Sequence, residues 1–403
     1  MQAESFPVRV LRALRRAASL RQLPEAARAA RDRDHQGLPE SDPGAPAAIA
    51  GCLEWLARAQ DHSASRDGGV ARDFSLVKGW ATSYPETTGY IIPTFVAAAD
   101  ALNRHELRDR ARRMLDWLAA IQFADGGIQG GKIDAPVKVP VTFNTGQVLL
   151  GFCAGVRTFD GYHRSMHGAA RFLRDSLDPD GCWRRYPTPF AAAGEKAYET
   201  HVAWGLFEAE RLAPGHGYGE AGLKQVTWAL GKQQPNGWVA DCCLNQPDQP
   251  LTHTLGYYLR GVVEAHRLSG EERFLQAARK TADALMWVQR PDGSLAGRQH
   301  ADWTPAADWA CLTGISQIAE SWLYLFDVTY DLRYLMSAQK GNAFVRRTIH
   351  LESRLDTRGG VKGSFPVDGG YGEFEFLNWA AKFTIDANMK ELGLGRPHAA
   401  NVA

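Results

Sequence analysis

The chain has 403 residues, 45% hydrophobic and 23% charged, which is enough apolar surface to fill a sizeable core. Its 46 Lys and Arg against 45 Asp and Glu leave a net charge of +1, so no overall field recruits nucleic acid. Six Cys with no CxxC or CxxH spacing make no disulfide framework, and no apolar run reaches the length of a membrane span.

Residues 1–46 stand apart. Arg9, Arg12, Arg15, Arg16 and Arg21 interleave with Val10, Leu11, Leu14 and Leu20, which predicts a basic amphipathic helix before an Ala/Arg run and a Pro/Gly-rich linker. The arginines interrupt any secretory h-region, and the sparse cysteines point to a reducing, cytoplasmic location. The plain role for this arm is a solvated helix on the domain surface. The sharper one is peripheral attachment to an anionic membrane or to a partner protein.

From Ala47 the chain repeats. Six amphipathic helices are expected over 47–60, 106–122, 162–177, 218–234, 272–289 and 332–349. In the second, Leu107, Ala111, Met114, Leu115 and Leu118 share one face with Arg and Asp opposite. Five are followed by Asp-Gly or Asn-Gly, at Gly68, Gly126, Gly181, Gly237 and Gly293, the pairs that supply a positive φ and reverse the chain. Arg358-Gly359-Gly360 is a looser sixth turn. After each turn come a long loop and a second helix, apolar nearly all round, beginning near Thr88, Asn144, Glu199, Thr252, Cys311 and Leu377; these starts lie 53 to 66 residues apart.

A helix apolar on every side is buried on every side. Six striped helices around six buried ones predict an all-α, closed (α/α)6 toroid over residues 47–392, with a tail over 393–403. The long loops all sit at the end where the inner helices start, so function is expected there. Free N–H groups and helix dipoles at that end suit an acidic ligand.

The turns ending in Asp180-Gly181-Cys182-Trp183 and Asn236-Gly237-Trp238 resemble the Gln-Trp repeats of squalene-type cyclases and protein prenyltransferases. The Asp-x-Asp-Asp acid of the cyclases is missing. The segments Tyr84–Tyr90, Asn144–Gln147, Tyr198–His201 and Thr252–Tyr257 resemble inner-helix starts of the six-hairpin glycosidases, uronate lyases and sugar epimerases. The pattern also resembles proteins of bacterial exopolysaccharide loci, which implies polysaccharide-assembly proteins as partners of the N-terminal arm. This likeness implies a carbohydrate substrate and an enzyme that cleaves or remodels an acidic polysaccharide, of hydrolase or lyase type. A terpenoid or prenyl enzyme with a greasy cavity and a non-catalytic glycan-binding component are the alternatives.

Convergence of the inner-helix starts selects the candidate residues. Glu86 and Glu199 form an acid and base pair if the bond is hydrolysed; as carboxylates near helix starts they also serve as plain dipole partners. His201 and His253 open successive inner helices and are expected to be neighbours, a base of near-neutral pKa in a lyase, with Asn144 and Tyr257 completing the set. Binding roles are expected for Tyr84, Tyr90, Gln147, Trp204, Arg260 and Gln317, and for Trp80, Trp303 and Trp379 as stacking platforms. Arg260 also reads as a deeper ion pair with Glu264 at i+4. Lys362 and Glu373 sit in the Gly-rich last loop, expected to be a lid. No cofactor is expected: Asp241, Cys242, Cys243, His253 and His300 offer zinc-type ligands, but their spacing matches no metal motif.

Overall fold

The structure, a computed structural model, describes residues 22–394. The arginine-rich helix expected from Arg9 to Arg21 lies outside the described residues. After α1 (Glu25–Asp34), outer and inner helices alternate: α2 (Ala45–Asp61) is outer, α3 (Pro85–Ala101) inner, and so on through α4 (Glu106–Ile121), α5 (Thr142–Phe159), α6 (His163–Ser176), α7 (Thr200–Leu212), α8 (Tyr218–Leu230), α9 (Thr252–Ser269), α10 (Glu272–Trp287), α11 (Leu312–Thr329), α12 (Leu332–Arg347) and α13 (Asn378–Glu391). The expected elements are present, with ends shifted by a few residues, as helix termini commonly are.

The periodicity explains the layering. On α4 the predicted stripe of Leu107, Ala111, Met114, Leu115 and Leu118 is buried, whereas α9 is buried continuously from Thr252 to Ala265. Consecutive inner helices pack side by side, and each inner helix packs on the outer helix that follows it. The last inner helix, α13, has no follower and packs instead on α2, the first outer helix. The ring is thus a closed (α/α)6 toroid whose sixth hairpin joins the first and last helices of the ring.

The turn glycines explain why the repeat is kept. A Cβ on Gly237, at φ +83°, would lie 2.4 Å from the Lys280 carbonyl oxygen of the next outer helix. Gly359 in the sixth turn, expected to be looser, approaches as closely: a Cβ there would lie 2.1 Å from the Gly51 oxygen of α2. Glutamines ending the outer helices add a second tie. Gln122 Nε2 donates to Gly126 O and Ser165 O at 2.9 and 3.0 Å, and Gln289 Nε2 to Gly293 O and Ser337 O at 3.1 and 2.9 Å.

Two small sheets shape the loop end. β1 (Asp73–Ser75), β2 (Gly79–Trp80) and β5 (Glu375–Leu377) form an antiparallel sheet ordered β2-β1-β5, and β3 (Ala310–Cys311) pairs with β4 (Ser364–Phe365). Residues 22–46 are bound to the toroid: Asp34 accepts from Lys362 Nζ at 2.7 Å, Asp42 pairs with Arg346 at 2.6 Å, and Asp368 accepts from Arg31 at 2.9 Å. No helix among the described residues is long and apolar enough to cross a membrane.

Candidate active site

A cavity of about 910 Å³ opens where the inner helices begin, within the size range of ligand sites. First-turn residues of four inner helices reach it: Glu86 of α3, Asn144 of α5, His253 of α9 and Trp379 of α13. Trp80, Tyr84 and Tyr257 also line it. These seven are the candidates that the fold brings together.

Glu86 stands in the cavity wall. It is crowded by protein atoms yet keeps one face open to the cavity. Burial pushes its carboxyl up to about 7, against the Tyr84 hydroxyl beside it and the charge of Arg72, which work the other way. Tyr84, Tyr90, Tyr198, Tyr257 and Tyr371 all lie near enough to be affected by its charge. A carboxyl poised near neutrality in a cavity wall has the pKa of a general acid.

His253 faces the same space. Its Nδ1 is 2.8 Å from Gln317 Oε1, an atom that only accepts, so the ring proton sits on Nδ1 and Nε2 keeps its lone pair. Burial lowers its pKa to about 4, against the Gln317 hydrogen bond, so the ring is neutral at ordinary pH. His201 has the same arrangement, with Nδ1 2.7 Å from Gln147 Oε1. The two imidazoles flank the Tyr257 ring at centroid distances of 4.5 Å for His201 and 4.4 Å for His253. They are therefore close, as their helix positions predict, but His201 is fully buried behind Tyr257 and does not line the cavity.

Several other candidates lie outside the cavity, each for a structural reason. Tyr90 is buried with its hydroxyl 3.4 Å from that of Tyr257. Gln147 and Gln317 hold the histidines. Arg260 lies deeper, paired with Glu264 at 2.9 Å and Glu320 at 2.5 Å, its guanidinium 4.1 Å from the Trp204 ring, so both are occupied in the barrel interior. Trp303 plugs a turn, donating from Nε1 to Asn236 O at 3.0 Å. Lys362 is buried against Asp34 beside a second cavity, and Glu373 is exposed away from the first.

Glu199 is buried behind the cavity wall; its neighbour Tyr198 lines the cavity. Burial pushes its carboxyl up to about 8, Lys196 opposing, and Oε2 has no partner among the described residues. A folded pKa above the unfolded one stabilises the fold at low pH, and that stability is lost as pH rises from about 4.5 through about 8. Glu199→Gln is therefore expected to gain ~3 kcal/mol over the parent at pH 8.5 and little at pH 5, measured as urea midpoints. A difference that does not change with pH would contradict this ionisation.

Sequence reasoning missed the wall opposite the helices. Arg72 bridges Asp73 at 2.6 Å and Glu375 at 2.9 Å, and its guanidinium lies 5.1 Å from the Trp379 ring centroid. Burial raises the Asp73 carboxyl, Arg72 opposing. Phe143, Tyr198 and Tyr371 add aromatic faces, and Lys78 and Lys132 stand at the mouth. The signal available was Arg72-Asp73 between a glycine turn and Trp80, but its partner Glu375 is 303 residues away.

No family model and no curated protein matches the chain. Solved structures do. An unsaturated glucuronyl hydrolase specific for heparin aligns at 13% identity over 86% of this chain and 96% of its own, with a TM-score of 0.69. The unsaturated glucuronyl hydrolase of Bacillus sp. GL1 aligns at 13% over 87% and 98%, TM-score 0.68. A D-mannose isomerase aligns at 13% over 86% and 97%, TM-score 0.67. At these identities the likeness establishes the fold alone, an (α/α)6 toroid.

Proposed function

We propose that the protein is a glycan-active enzyme that takes the end of an acidic oligosaccharide or polysaccharide into this cavity and cleaves its glycosidic bond. The observation that carries the reading is Glu86, a carboxyl held near neutrality in a wall of aromatic rings. Trp80, Trp379 and Tyr371 offer stacking faces for sugar rings. Lys78, Lys132 and the inner-helix N-termini supply positive potential for substrate carboxylates. Glu86 gives its proton to the bridging oxygen as the bond to the anomeric carbon breaks. His253 Nε2 takes a proton from the water that adds there. The fold neighbours named for glucuronyl hydrolysis support the substrate class, whereas Arg72, Asp73, Glu86 and Asn144 in the walls weigh against a greasy isoprenoid tunnel. Six buried, unbridged cysteines support a reducing compartment.

The test is incubation with a panel of uronate-containing and neutral oligosaccharides, followed by chromatography. New reducing ends without absorbance of an unsaturated product support hydrolysis. An unsaturated product selects elimination, and binding without turnover selects the non-catalytic reading. Because Glu86 must carry its proton and His253 must not, kcat/KM is expected to fall above about pH 7 and below about pH 4, with a plateau between. An optimum above pH 8 would exclude this assignment of acid and base.

A further inference from the structure

A second cavity, of about 730 Å³, lies on the same end of the toroid. It backs on to the wall of the first. Along the sheet Asp73 and Glu375 line the first cavity, while Leu76, just past β1, and Phe376 of β5 line the second. Strand alternation thus puts one sheet between two chambers. The far walls of the second are α1 and the segment that follows α12.

Its chemistry differs from that of the first. Arg33, Arg347, Arg354 and Lys362 face Asp34 and Glu352. Lys362 and Asp34 neutralise each other at 2.7 Å, which leaves three guanidinium groups against one carboxylate. Arg33 makes no ion pair with another described residue, and Arg354 is 62% exposed with its Asp356 contact at 3.8 Å. Arg347 is aimed by a hydrogen bond from Nε to Pro39 O. His350 stands among them; burial, then Lys362 and Arg33, push its pKa down to about 4. Ser41, Ser353 and Thr357 add hydroxyls, and among the described residues neither Trp nor Tyr lines the space. Recognition here runs on charge rather than ring stacking.

We propose that this cavity is a second binding site, for a small molecule of sugar size that carries an oxyanion, phosphate or carboxylate, gripped by Arg33, Arg347 and Arg354. Guanidinium forks match both oxyanions, and such charge-assisted bonds are the strong ones. The site does not depend on the catalytic reading of the first cavity, so either can fail alone.

The experiment is calorimetric titration of the whole chain with glucose 6-phosphate, glucuronate and glucose, alongside NMR of the His350 imidazole. One charged probe is expected to saturate at millimolar concentration or below, with glucose silent. The bound anion is expected to raise the His350 pKa by about one unit, since it offsets the surrounding positive charge. Arg33→Gln with Arg354→Gln, both in exposed positions, is expected to weaken binding at least about tenfold without changing Tm. Tighter binding of glucose 6-phosphate identifies a phosphoryl ligand, and tighter glucuronate a carboxylate one. The proposal is overturned if neither charged probe saturates, if glucose binds equally, if the double variant binds like the parent, or if His350 is unmoved while His253 shifts.

Discussion

Glu86→Gln is expected to lower kcat on the true substrate by about 10²–10⁴-fold, the usual contribution of one positioned acid, with KM little changed. The carboxamide keeps the shape and the contact with Tyr84 but has no acidic proton. Two further readouts separate a lost proton from a damaged pocket. The fall in rate near pH 7 should vanish, because the group that titrates there is gone. Substrates with an acidic leaving group, which departs without protonation, should lose far less. A variant that keeps full rate, or keeps the limb near pH 7, removes Glu86 from the mechanism. His253→Ala is then the informative companion. His201→Ala is expected to act through Tyr257, since that ring separates it from the cavity.

The second large effect concerns stability. Arg260→Met is expected to cost about 3–5 kcal/mol, the range for breaking a buried ion pair by removing one partner. Arg260 sits between Glu264 and Glu320 in the barrel interior, all three nearly inaccessible. Burial alone pushes the Glu264 carboxyl up, but Arg260 and Arg267 bring it below its usual value. Without Arg260 that carboxyl should rise above its unfolded value. Its contribution would then be favourable at low pH and lost as pH increases. The deficit should therefore be larger at pH 8 than at pH 5. A loss below about 1 kcal/mol at pH 8 would mean that the interior tolerates the lone carboxylates, and that the pair is not what holds these helices.

The helices were legible because their cause is local. A stripe such as that on α4, or the all-round burial of α9, is written in residues a turn apart. Helix starts predicted the cavity's inner wall, and Glu86, Asn144, His253 and Trp379 lie there. The outer wall was not legible, because it is made by pairing across the whole chain. β1 meets β5 in the register Asp73 to Leu377, and Arg72 finds Glu375 only through that pairing. Lys362 reads as a loop lysine until Asp34, 328 residues away, is seen to neutralise it. Trp303 and Trp379 look alike in sequence. One closes a turn and the other faces the cavity, and only the indole's hydrogen-bond partner tells them apart.

The joining of α13 to α2 sets an order of events during synthesis. The wall residue Trp379 and the helix that covers α2 lie in the last-made part of the ring, and Asn378 donates to Ala71 O and Thr87 Oγ1 at 2.9 and 2.8 Å. Until the ribosome releases that stretch, α2 and α3 have an uncovered apolar flank and the cavity lacks one side. A copy that stops short of α13 therefore holds the other ring helices but not the complete cavity, and shows the quality-control machinery a greasy surface. The complete cavity arrives with the helix that closes the ring.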